Sequence, residues 1–505
     1  MSPNITSVGI VGAGAMGRGI AQVCAAAGCD VHLFDMAAEA VARARDAVRD
    51  DLAQGVAKGR LSQEEADATL ARIQPATELA LLRDCDLVVE AIVEQLDPKQ
   101  QLFRSLEAIV SQDCILATNT SSLSVTEIAA PCALPQRVAG WHFFNPVPRM
   151  RLVEVVQAPR TSVSVVESLV ALSKRIGHRA VVTSDSPGFV VNHAGRAFVT
   201  EGLKLLAERA AEHSVLDAIL RDCAGFRMGP FELLDLTGLD VSVPVMESIH
   251  TQYYGDDRYR PVAVARTRMA AGLLGRKSKE GFYRYEGSAS QERPFQPPAA
   301  VDANQVSVWW PEEGNAALPP QIAALLGSKH RCSDPSGADV FLVAPLGPDL
   351  SASVEAMALD ARKTLAIDPV FSGKTGVTLM ASPATAAATI ELARCLFASE
   401  GIPTFVVNDS PGYVAPRVVA CIVNLACEMA QQGLASPADL DAAVRLGLGY
   451  PSGPFEWGDR IGAKRVLEIL QGLQDTFGDQ RYRPSPWLIR RARLSLPLST
   501  PDRSA

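Results

Sequence analysis

SVGIVGAGAMG, residues 7–17, is the stretch that decides how the first part of the chain folds. Its first five residues form an apolar run typical of a buried strand, and a helical pattern follows the last glycine. Gly12, Gly14 and Gly17 have the GxGxxG spacing of a dinucleotide-binding turn between strand and helix. Gly12 permits the tight turn and Gly14 lets the backbone approach a pyrophosphate. Gly17 lets the helix pack closely, so that its N-terminal amides point at the anion.

The end of the next apolar run indicates which dinucleotide binds. Residues 30–34 (DVHLF) form this run, and Asp35 follows it, 21 residues past the second glycine. A carboxylate at that place accepts hydrogen bonds from the adenosine ribose, and it repels a 2′-phosphate. The sequence therefore predicts NAD as the cofactor and not NADP.

Further apolar runs extend the predicted α/β fold. Residues 86–93, 115–117 and 138–140 are expected to be strands of the same doubly wound sheet. The charged segment 38–82 has apolar residues at helical spacing, so we expect a helical hairpin that protrudes from the sheet.

Composition narrows the classes of protein. The chain has 505 residues, enough for about three domains of roughly 150 residues. Its formal net charge of −8 argues against nucleic-acid binding. Neither a signal peptide nor an apolar run of membrane-spanning length is visible, so we expect a cytoplasmic protein without membrane contact. Ten cysteines without CxxC pairs predict reduced thiols, and no metal site is expected.

Four longer motifs carry a family resemblance: NTSSL (119–123), HFFNPVPRMRLVEVV (142–156), DSPGFVVNH (185–193) and RMGPFELLDLTGLD (227–240). Together they resemble the 3-hydroxyacyl-CoA dehydrogenase family, in register from residue 7 to about residue 286. The resemblance implies an N-terminal Rossmann-like α/β domain followed by an all-α domain. It also implies an acyl-CoA substrate, oxidised from 3-hydroxyacyl-CoA to 3-ketoacyl-CoA with NAD.

His142 and Glu154 are the predicted catalytic pair. Oxidation of a 3-hydroxyl group needs a base for its proton, and an imidazole titrates near neutral pH. Glu154 lies 12 residues after His142, beyond a Pro-containing turn that can return a strand alongside the first. A carboxylate behind the ring fixes its tautomer and stabilises the imidazolium. The family uses such a His–Glu dyad. A histidine alone beside two phenylalanines would be read as a core residue, and the paired acid argues for the base.

Other site residues follow from the resemblance alone. Ser121 and Asn192 match the two polar residues that hydrogen-bond the substrate oxygen, although Ser121 also suits a helix N-cap. The remaining matches are cofactor contacts at Glu94, Lys99, Asn145 and Lys277 and a CoA contact at Lys58. A solvated charge or a turn residue is the alternative for each of them. The family often has Ser at the position of Asp51, which leaves the CoA contacts on the hairpin open.

The second half of the chain repeats part of the first. DSPGFV (185–190) recurs as DSPGYV (409–414), and MGPFE (228–232) recurs as SGPFE (452–456), both at an offset of 224. A second all-helical domain is therefore expected. Upstream, HFFNP (142–146) resembles LMASP (379–383), which suggests a degenerate α/β remnant without a glycine fingerprint. On this alignment the places of His142, Ser121 and Asn192 are taken by residues that cannot do their chemistry: Leu379, Val370 and Pro416.

We therefore expect four segments. These are an NAD-binding Rossmann domain with a helical hairpin at 1–185, a first helical domain at 186–286, a linker and degenerate α/β remnant at 287–408, and a second, non-catalytic helical domain at 409–505. Apolar helices after each DSPG motif predict that the two helical domains pack on each other as an internal pseudo-dimer. Whether full-length chains also form a homodimer stays open.

Two alternative functions remain at this point. The chain could be an inactive NAD-binding structural protein, or a β-hydroxyacid dehydrogenase that oxidises a free acid with a lysine base. The His142–Glu154 pair argues against both. The expected role is in fatty-acid or aromatic-acid catabolism.

Overall fold

The computed structural model describes residues 5–286, 289–290, 306–327 and 330–502. The chain forms two compact units, residues 1–193 with 432–448 (unit 1) and residues 194–431 with 449–505 (unit 2). The first part of the predicted linker and remnant segment, residues 287–305, lies outside the described residues, apart from 289–290. None of the helices in these described ranges combines the length and the apolar character that a membrane span requires.

Elements are numbered along the chain. The strands of unit 1 are β1 Ser7–Val11, β2 Asp30–Phe34, β3 Ile73–Ala76, β4 Leu87–Glu90, β5 Ile115–Thr118, β6 Val138–Phe143, β7 Leu152–Gln157 and β8 Arg179–Ser184. Its helices are α1 Ala15–Ala26, α2 Ala38–Ala57, α3 Gln63–Arg72, α4 Leu96–Glu107, α5 Val125–Ala129, α6 Val163–Arg175, α7 Val191–Ala194 (which runs one residue into unit 2) and α17 Pro437–Leu448.

The strands of unit 2 are β9 Tyr285–Glu286, β10 Ala289–Ser290, β11 Val308–Trp309, β12 Val340–Val343, β13 Thr364–Ile367, β14 Val377–Ala381 and β15 Thr404–Asn408. Its helices are α8 Arg196–Ala207, α9 His213–Asp222, α10 Pro230–Thr237, α11 Leu239–Gln252, α12 Ala263–Ala270, α13 Pro320–Leu326, α14 Leu350–Met357, α15 Ala387–Ala398, α16 Ala415–Gln431, α18 Pro454–Ile461, α19 Ala463–Phe477 and α20 Pro486–Leu494.

Unit 1 is the predicted doubly wound domain. Its eight strands have the order β3-β2-β1-β4-β5-β6-β7-β8, and every pairing is parallel except β6 with β7. Alternate residues of β1 enter two separate cores, because successive side chains of a strand point to opposite faces. Val8 and Ile10 pack on the face covered by α1 and α6, and Val11 packs on the face covered by α4 and α5. The strand order reverses between β1 and β4, where a doubly wound sheet opens its ligand crevice.

The segment predicted as a protruding hairpin is joined to the rest of unit 1, at α1 and β2, more closely than expected. Helix α3 begins with a capping box in which Ser62 and Glu65 exchange hydrogen bonds. It ends at Arg72, whose guanidinium donates to the Ala25 carbonyl of α1 at 3.3 Å. Ile73, predicted to lie in the helix, instead begins strand β3, which pairs in parallel with β2. The prediction failed here because a single apolar residue fits the spacing of a helix and that of a strand equally well. Only pairing with a neighbouring strand distinguishes the two.

A second sheet confirms the predicted α/β remnant but corrects its alignment. Its order is β11-β12-β13-β14-β15, with only β13–β14 antiparallel, as in the run from β4 to β8. By this topology β14 corresponds to β7 and not to β6, so the assignment of Leu379 to the place of His142 was wrong. The residue there is Asp368, whose amide donates to Thr378, the counterpart of Glu154. The chain between Asp368 and Thr378 is two residues shorter than the chain between His142 and Glu154, and this difference shifted the sequence alignment.

The predicted packing of the two helical domains on each other is confirmed within unit 2. Helix α16 packs along α8, and the buried Arg417 guanidinium donates to the Glu201 carboxylate at 2.6 Å. The sequence RYRP occurs at residues 258–261 and again at 481–484, and the two copies exchange equivalent bonds. Arg258 donates to the Arg483 carbonyl at 3.1 Å, and Arg481 donates to the Arg260 carbonyl at 2.5 Å. Such reciprocity is the mark of a twofold-related contact.

Candidate active site

The glycine turn has the form that a dinucleotide requires. Gly12 has a φ of +107°, and a Cβ built on it would lie 2.4 Å from the Ala91 carbonyl oxygen. A Cβ on Gly17 would lie 1.8 Å from the Gly12 carbonyl oxygen, so helix and strand approach as closely as they do only because both residues are glycine. A Cβ on Gly14 would meet no atom within 4 Å. That open space, at the uncapped N-terminus of α1, fits a pyrophosphate.

Asp35 lies where β2 ends and faces this turn. One carboxylate oxygen accepts from the Ala13 amide at 2.8 Å, and the other accepts from the Ala37 amide at 3.0 Å. Each carboxylate oxygen has a second lone pair, so both remain able to accept from ribose hydroxyls. The two amide bonds hold the carboxylate beside the glycine turn. The residues present therefore fit NAD.

His142 and Glu154 lie side by side on the antiparallel strands β6 and β7. The distance from His142 Nδ1 to Glu154 Oε2 is 2.6 Å, and both residues are buried. Glu154 Oε1 accepts from the amides of Val190 and Val191, at 3.0 and 2.8 Å. The carboxylate is thus held on one oxygen by the backbone and presents the other to the imidazole. Among the residues that the structure describes, none hydrogen-bonds His142 Nε2.

Glu94 organises the loop that follows β5. Its Oε1 accepts from the hydroxyl of Thr120 at 2.7 Å and from the amides of Ser121 and Ser122, at 2.7 and 3.0 Å. Burial opposes ionisation of Glu94. The charge of Lys99 and the hydrogen bonds outweigh it, however, and lower the pKa of Glu94 to about 2. Glu94 is therefore a carboxylate at neutral pH, and it fixes the position of Ser121.

Lys99 is more deeply buried than a cofactor contact would be. It is 1% exposed, and its ammonium pairs with Glu90 at 2.5 Å and with Glu94 at 3.2 Å. The carboxylates use two of the three N–H groups of Lys99, and burial leaves little of the ammonium open to a dinucleotide. Glu90, fully buried at the end of β4, was missed in the sequence. An acid that ends an apolar strand was the available signal, and its second oxygen accepts from the Thr118 hydroxyl at 2.7 Å.

Ser121 and Asn192, matched to the family's two substrate contacts, lie side by side. The Asn192 side-chain amide donates to the Ser121 carbonyl at 3.4 Å. Ser121 is not a helix cap, because Ser124 takes that role at the start of α5. Asn119, at the start of the same loop, accepts from the Phe143 amide at 2.9 Å and so ties the loop to the strand of His142.

The remaining predicted contacts are Asn145, Lys277 and Lys58. Asn145 is exposed in the turn between β6 and β7. Lys277 belongs to unit 2, where it pairs with Asp240. Lys58 follows α2 at the tip of the hairpin and lines a cavity of about 760 Å³ together with several arginines: Arg60, Arg72, Arg149, Arg151 and Arg175.

The equivalent site of the second sheet lacks this chemistry. Asp368 and Thr378 occupy the places of His142 and Glu154, and both are completely buried. The loop that follows β12 packs directly on α19, since a Cβ on Gly472 would lie 2.3 Å from the Gly347 carbonyl oxygen. The second sheet therefore has neither the imidazole nor the carboxylate behind it.

Comparisons with known proteins agree with this geometry. Residues 7–186 match the profile of the 3-hydroxyacyl-CoA dehydrogenase NAD-binding domain. Residues 188–285 and 412–496 both match the profile of the C-terminal domain of the same family.

Three relatives show how far the similarity extends. The chain is 37% identical to 3-hydroxyadipyl-CoA dehydrogenase of Escherichia coli K12, across 98% of this chain and 99% of the relative. It is 38% identical to human mitochondrial hydroxyacyl-coenzyme A dehydrogenase, across 56% of this chain and 92% of the relative. A crystal structure of 3-hydroxybutyryl-CoA dehydrogenase from E. coli K12 superimposes with a TM-score of 0.86 at 36% identity, covering 97% of this chain and 99% of that one. The chain therefore belongs to the 3-hydroxyacyl-CoA dehydrogenase family, and it is an NAD-dependent oxidoreductase.

Proposed function

We propose that unit 1 oxidises the 3-hydroxyl group of a 3-hydroxyacyl-CoA with His142 as general base, in the catabolism of a fatty acid or an aromatic acid. The observation that carries this proposal is the 2.6 Å contact between His142 and Glu154, with Glu154 held by two backbone amides. A histidine kept in the core for packing alone does not need a buried carboxylate whose free oxygen points at its ring.

The proton of the substrate hydroxyl moves to His142 Nε2. Because Glu154 accepts from Nδ1–H, the neutral ring has its lone pair on Nε2, which is the tautomer that a base requires. The imidazolium that forms is stabilised by the adjacent carboxylate. The side-chain amide of Asn192 donates to the C3 oxygen, which stabilises the negative charge that develops there as the proton leaves. The Ser121 hydroxyl, which donates to Glu94 Oε1 at 3.2 Å, adds a second bond when its single proton turns from Glu94 to the substrate.

The cofactor is held by the glycine turn and Asp35. When bound, NAD supplies the acceptor for the hydride that leaves C3. We propose that Glu94 and Asn145 contact the nicotinamide end, with Lys99 keeping Glu94 ionised, and that Lys277 is a further cofactor contact. Gly12 and Gly17 shape the turn, and Gly14 admits the pyrophosphate.

Lys58 is the proposed contact for the CoA part of the substrate. The cavity that it lines also has five arginines against three acidic residues, and CoA brings three phosphate groups. Clustered arginines and lysines favour phosphate through charge-assisted hydrogen bonds. The substrate is thus expected to be a CoA thioester and not a free acid.

NADH formation from 3-hydroxyacyl-CoA tests the proposal. Wild-type protein should reduce NAD with a 3-hydroxyacyl-CoA and should not do so with the free 3-hydroxy acid. His142→Gln should lower kcat by about 10²–10⁴ and leave NAD affinity unchanged, since the ring is not a cofactor ligand. A panel of butyryl, hexanoyl, decanoyl and adipyl derivatives would identify the acyl chain. Full activity of His142→Gln would remove this residue from the mechanism.

A further inference from the structure

Helix α17 comes from the second helical domain, yet it belongs to unit 1. It packs on β7 and β8, and Leu440, Ala443 and Val444 are its buried residues. Arg179, the first residue of β8, pairs with Asp439 on the helix at 2.7 Å. At the other end of β8, the Ser184 amide donates to a carbonyl of the turn before α17, that of Leu434, at 3.2 Å. The edge of the catalytic sheet is therefore covered by a segment of the second copy.

Gly447 makes the closest approach of this helix. A Cβ built on Gly447 would lie 2.9 and 3.0 Å from the two γ-methyl groups of Val191, and 3.0 Å from a δ-methyl group of Leu152. An ordinary contact between two carbon atoms is about 3.5–4.0 Å. Val191 and Leu152 are both buried, and valine has few rotamers to escape into. Any larger residue at 447 must displace them or the helix.

Val191 links this contact to the dyad. Its amide donates to Glu154 Oε1 at 2.8 Å, and Asn192 is the next residue of the chain. Leu152 lies two residues before Glu154 on β7. A larger residue at position 447 would therefore displace both the backbone amide that holds Glu154 and the strand that contains Glu154.

The corresponding contact in unit 2 has the sizes reversed. Cys223, 224 residues before Gly447, follows helix α9, and Gly376 stands 224 residues after Leu152. A Cβ on Gly376 would lie 2.9 Å from Cys223 Sγ. Each contact thus has one glycine and one bulkier partner. In unit 1 the glycine, Gly447, is on the helix, and the larger residues, Val191 and Leu152, are next to the His142–Glu154 pair. The two copies have complementary steric requirements that are not interchangeable.

We propose that α17 is a positioning element of the catalytic site, and that Gly447 is a positioning residue that lets Val191 hold Glu154. This inference rests on the proposed role of the His142–Glu154 pair. The proposal gives the second helical domain a function, because its helix α17 packs behind the residues that hold Glu154. The duplication then does more than fill the place of a partner subunit.

A double-mutant cycle in the full-length chain tests the proposal. Gly447→Ala should lower kcat about tenfold and leave the KM for NAD within about twofold of wild type. The acidic limb of the kcat–pH profile should move to lower pH, since a displaced Glu154 no longer stabilises the imidazolium. In a Val191→Ala background, where both γ-methyl groups are gone, the same Gly447→Ala change should lower kcat less than about twofold. Leu446→Ala, at an exposed position of the same helix, is the matched control and should behave as wild type.

Two results would overturn the proposal. One is a wild-type kcat and pH profile for Gly447→Ala. The other is an equal loss of kcat in both backgrounds with an unmoved pH profile, which would mark a general loss of folded protein. The underlying mechanism is tested separately by Glu154→Gln. If that variant is inactive while Gly447→Ala is normal, the dyad stands and the role of α17 does not.

Discussion

Replacing Glu154 with Gln is the most direct perturbation of the proposed dyad. Glutamine has the same shape, and its carbonyl oxygen can still accept from the amides of Val190 and Val191. Its NH₂ group then faces His142 Nδ1. Since an NH₂ group donates, Nδ1 must become the acceptor, and the ring proton moves to Nε2. The variant therefore keeps the fold of the site and puts the proton on the atom that should accept one.

The expected loss follows from the lost charge as well as from the wrong tautomer. Two unit charges about 4 Å apart interact by about 4 kcal/mol at an effective dielectric constant of about 20. Without the carboxylate, the imidazolium loses stabilisation of this order, and about 1.4 kcal/mol corresponds to tenfold in rate. We expect kcat to fall by about 10³, within a range of 10²–10⁴.

The assay is NADH formation at saturating NAD and 3-hydroxyacyl-CoA across pH 5–9. The acidic limb of the kcat–pH profile should move to lower pH, because the base is protonated less readily without its counter-charge. Glu78→Gln, at an exposed position of the same unit, is the matched control and should behave as wild type. A kcat within about threefold of wild type, with an unmoved acidic limb, would refute the reasoning and leave Glu154 as a structural residue.

Three further predictions concern the cofactor, the second sheet and the duplication. Asp35→Asn should narrow the ratio of kcat/KM for NAD to that for NADP, because the carboxylate that repels a 2′-phosphate is gone; equal use of both cofactors by wild type would contradict this. Burial raises the pKa of Asp368 to about 6, above its ordinary value of 3.8. Between these two values the folded state binds a proton that the unfolded state has lost, so the free energy of unfolding should fall as pH rises through that window. Asp368→Asn should remove this fall and stabilise the protein above pH 6 by at most about 3 kcal/mol, with kcat unchanged. Urea denaturation at pH 4 and pH 8 measures the free energy of unfolding, and a loss of kcat would show that the second sheet takes part in catalysis. A fragment ending near residue 300 lacks α16 and α17, so it should dimerise or aggregate and its activity should depend on concentration; a monomeric, fully active fragment would show that the second copy is dispensable.

The sequence alone determined those features that depend on residues close together in the chain. The glycine turn, the strands on either side of it and Asp35 were predicted within one βαβ unit, because turn geometry and strand periodicity depend on near neighbours. The His142–Glu154 pair was predictable because its two strands are adjacent in sequence and joined by a short turn. The 224-residue repeat likewise predicted the second helical domain and its packing on the first.

Only the tertiary structure decided which residues meet across longer distances. The burial of Lys99 between Glu90 and Glu94 depends on the ends of neighbouring strands, and Ile73 is a strand residue only because β2 lies beside it. The counterpart of His142 in the second sheet became visible through strand pairing, since a loop two residues shorter displaces any alignment made from sequence. The assignment of α17 to unit 1 has the same origin. A helix carries the same apolar stripe whichever sheet it covers, so its sequence reports that it is buried and not what buries it.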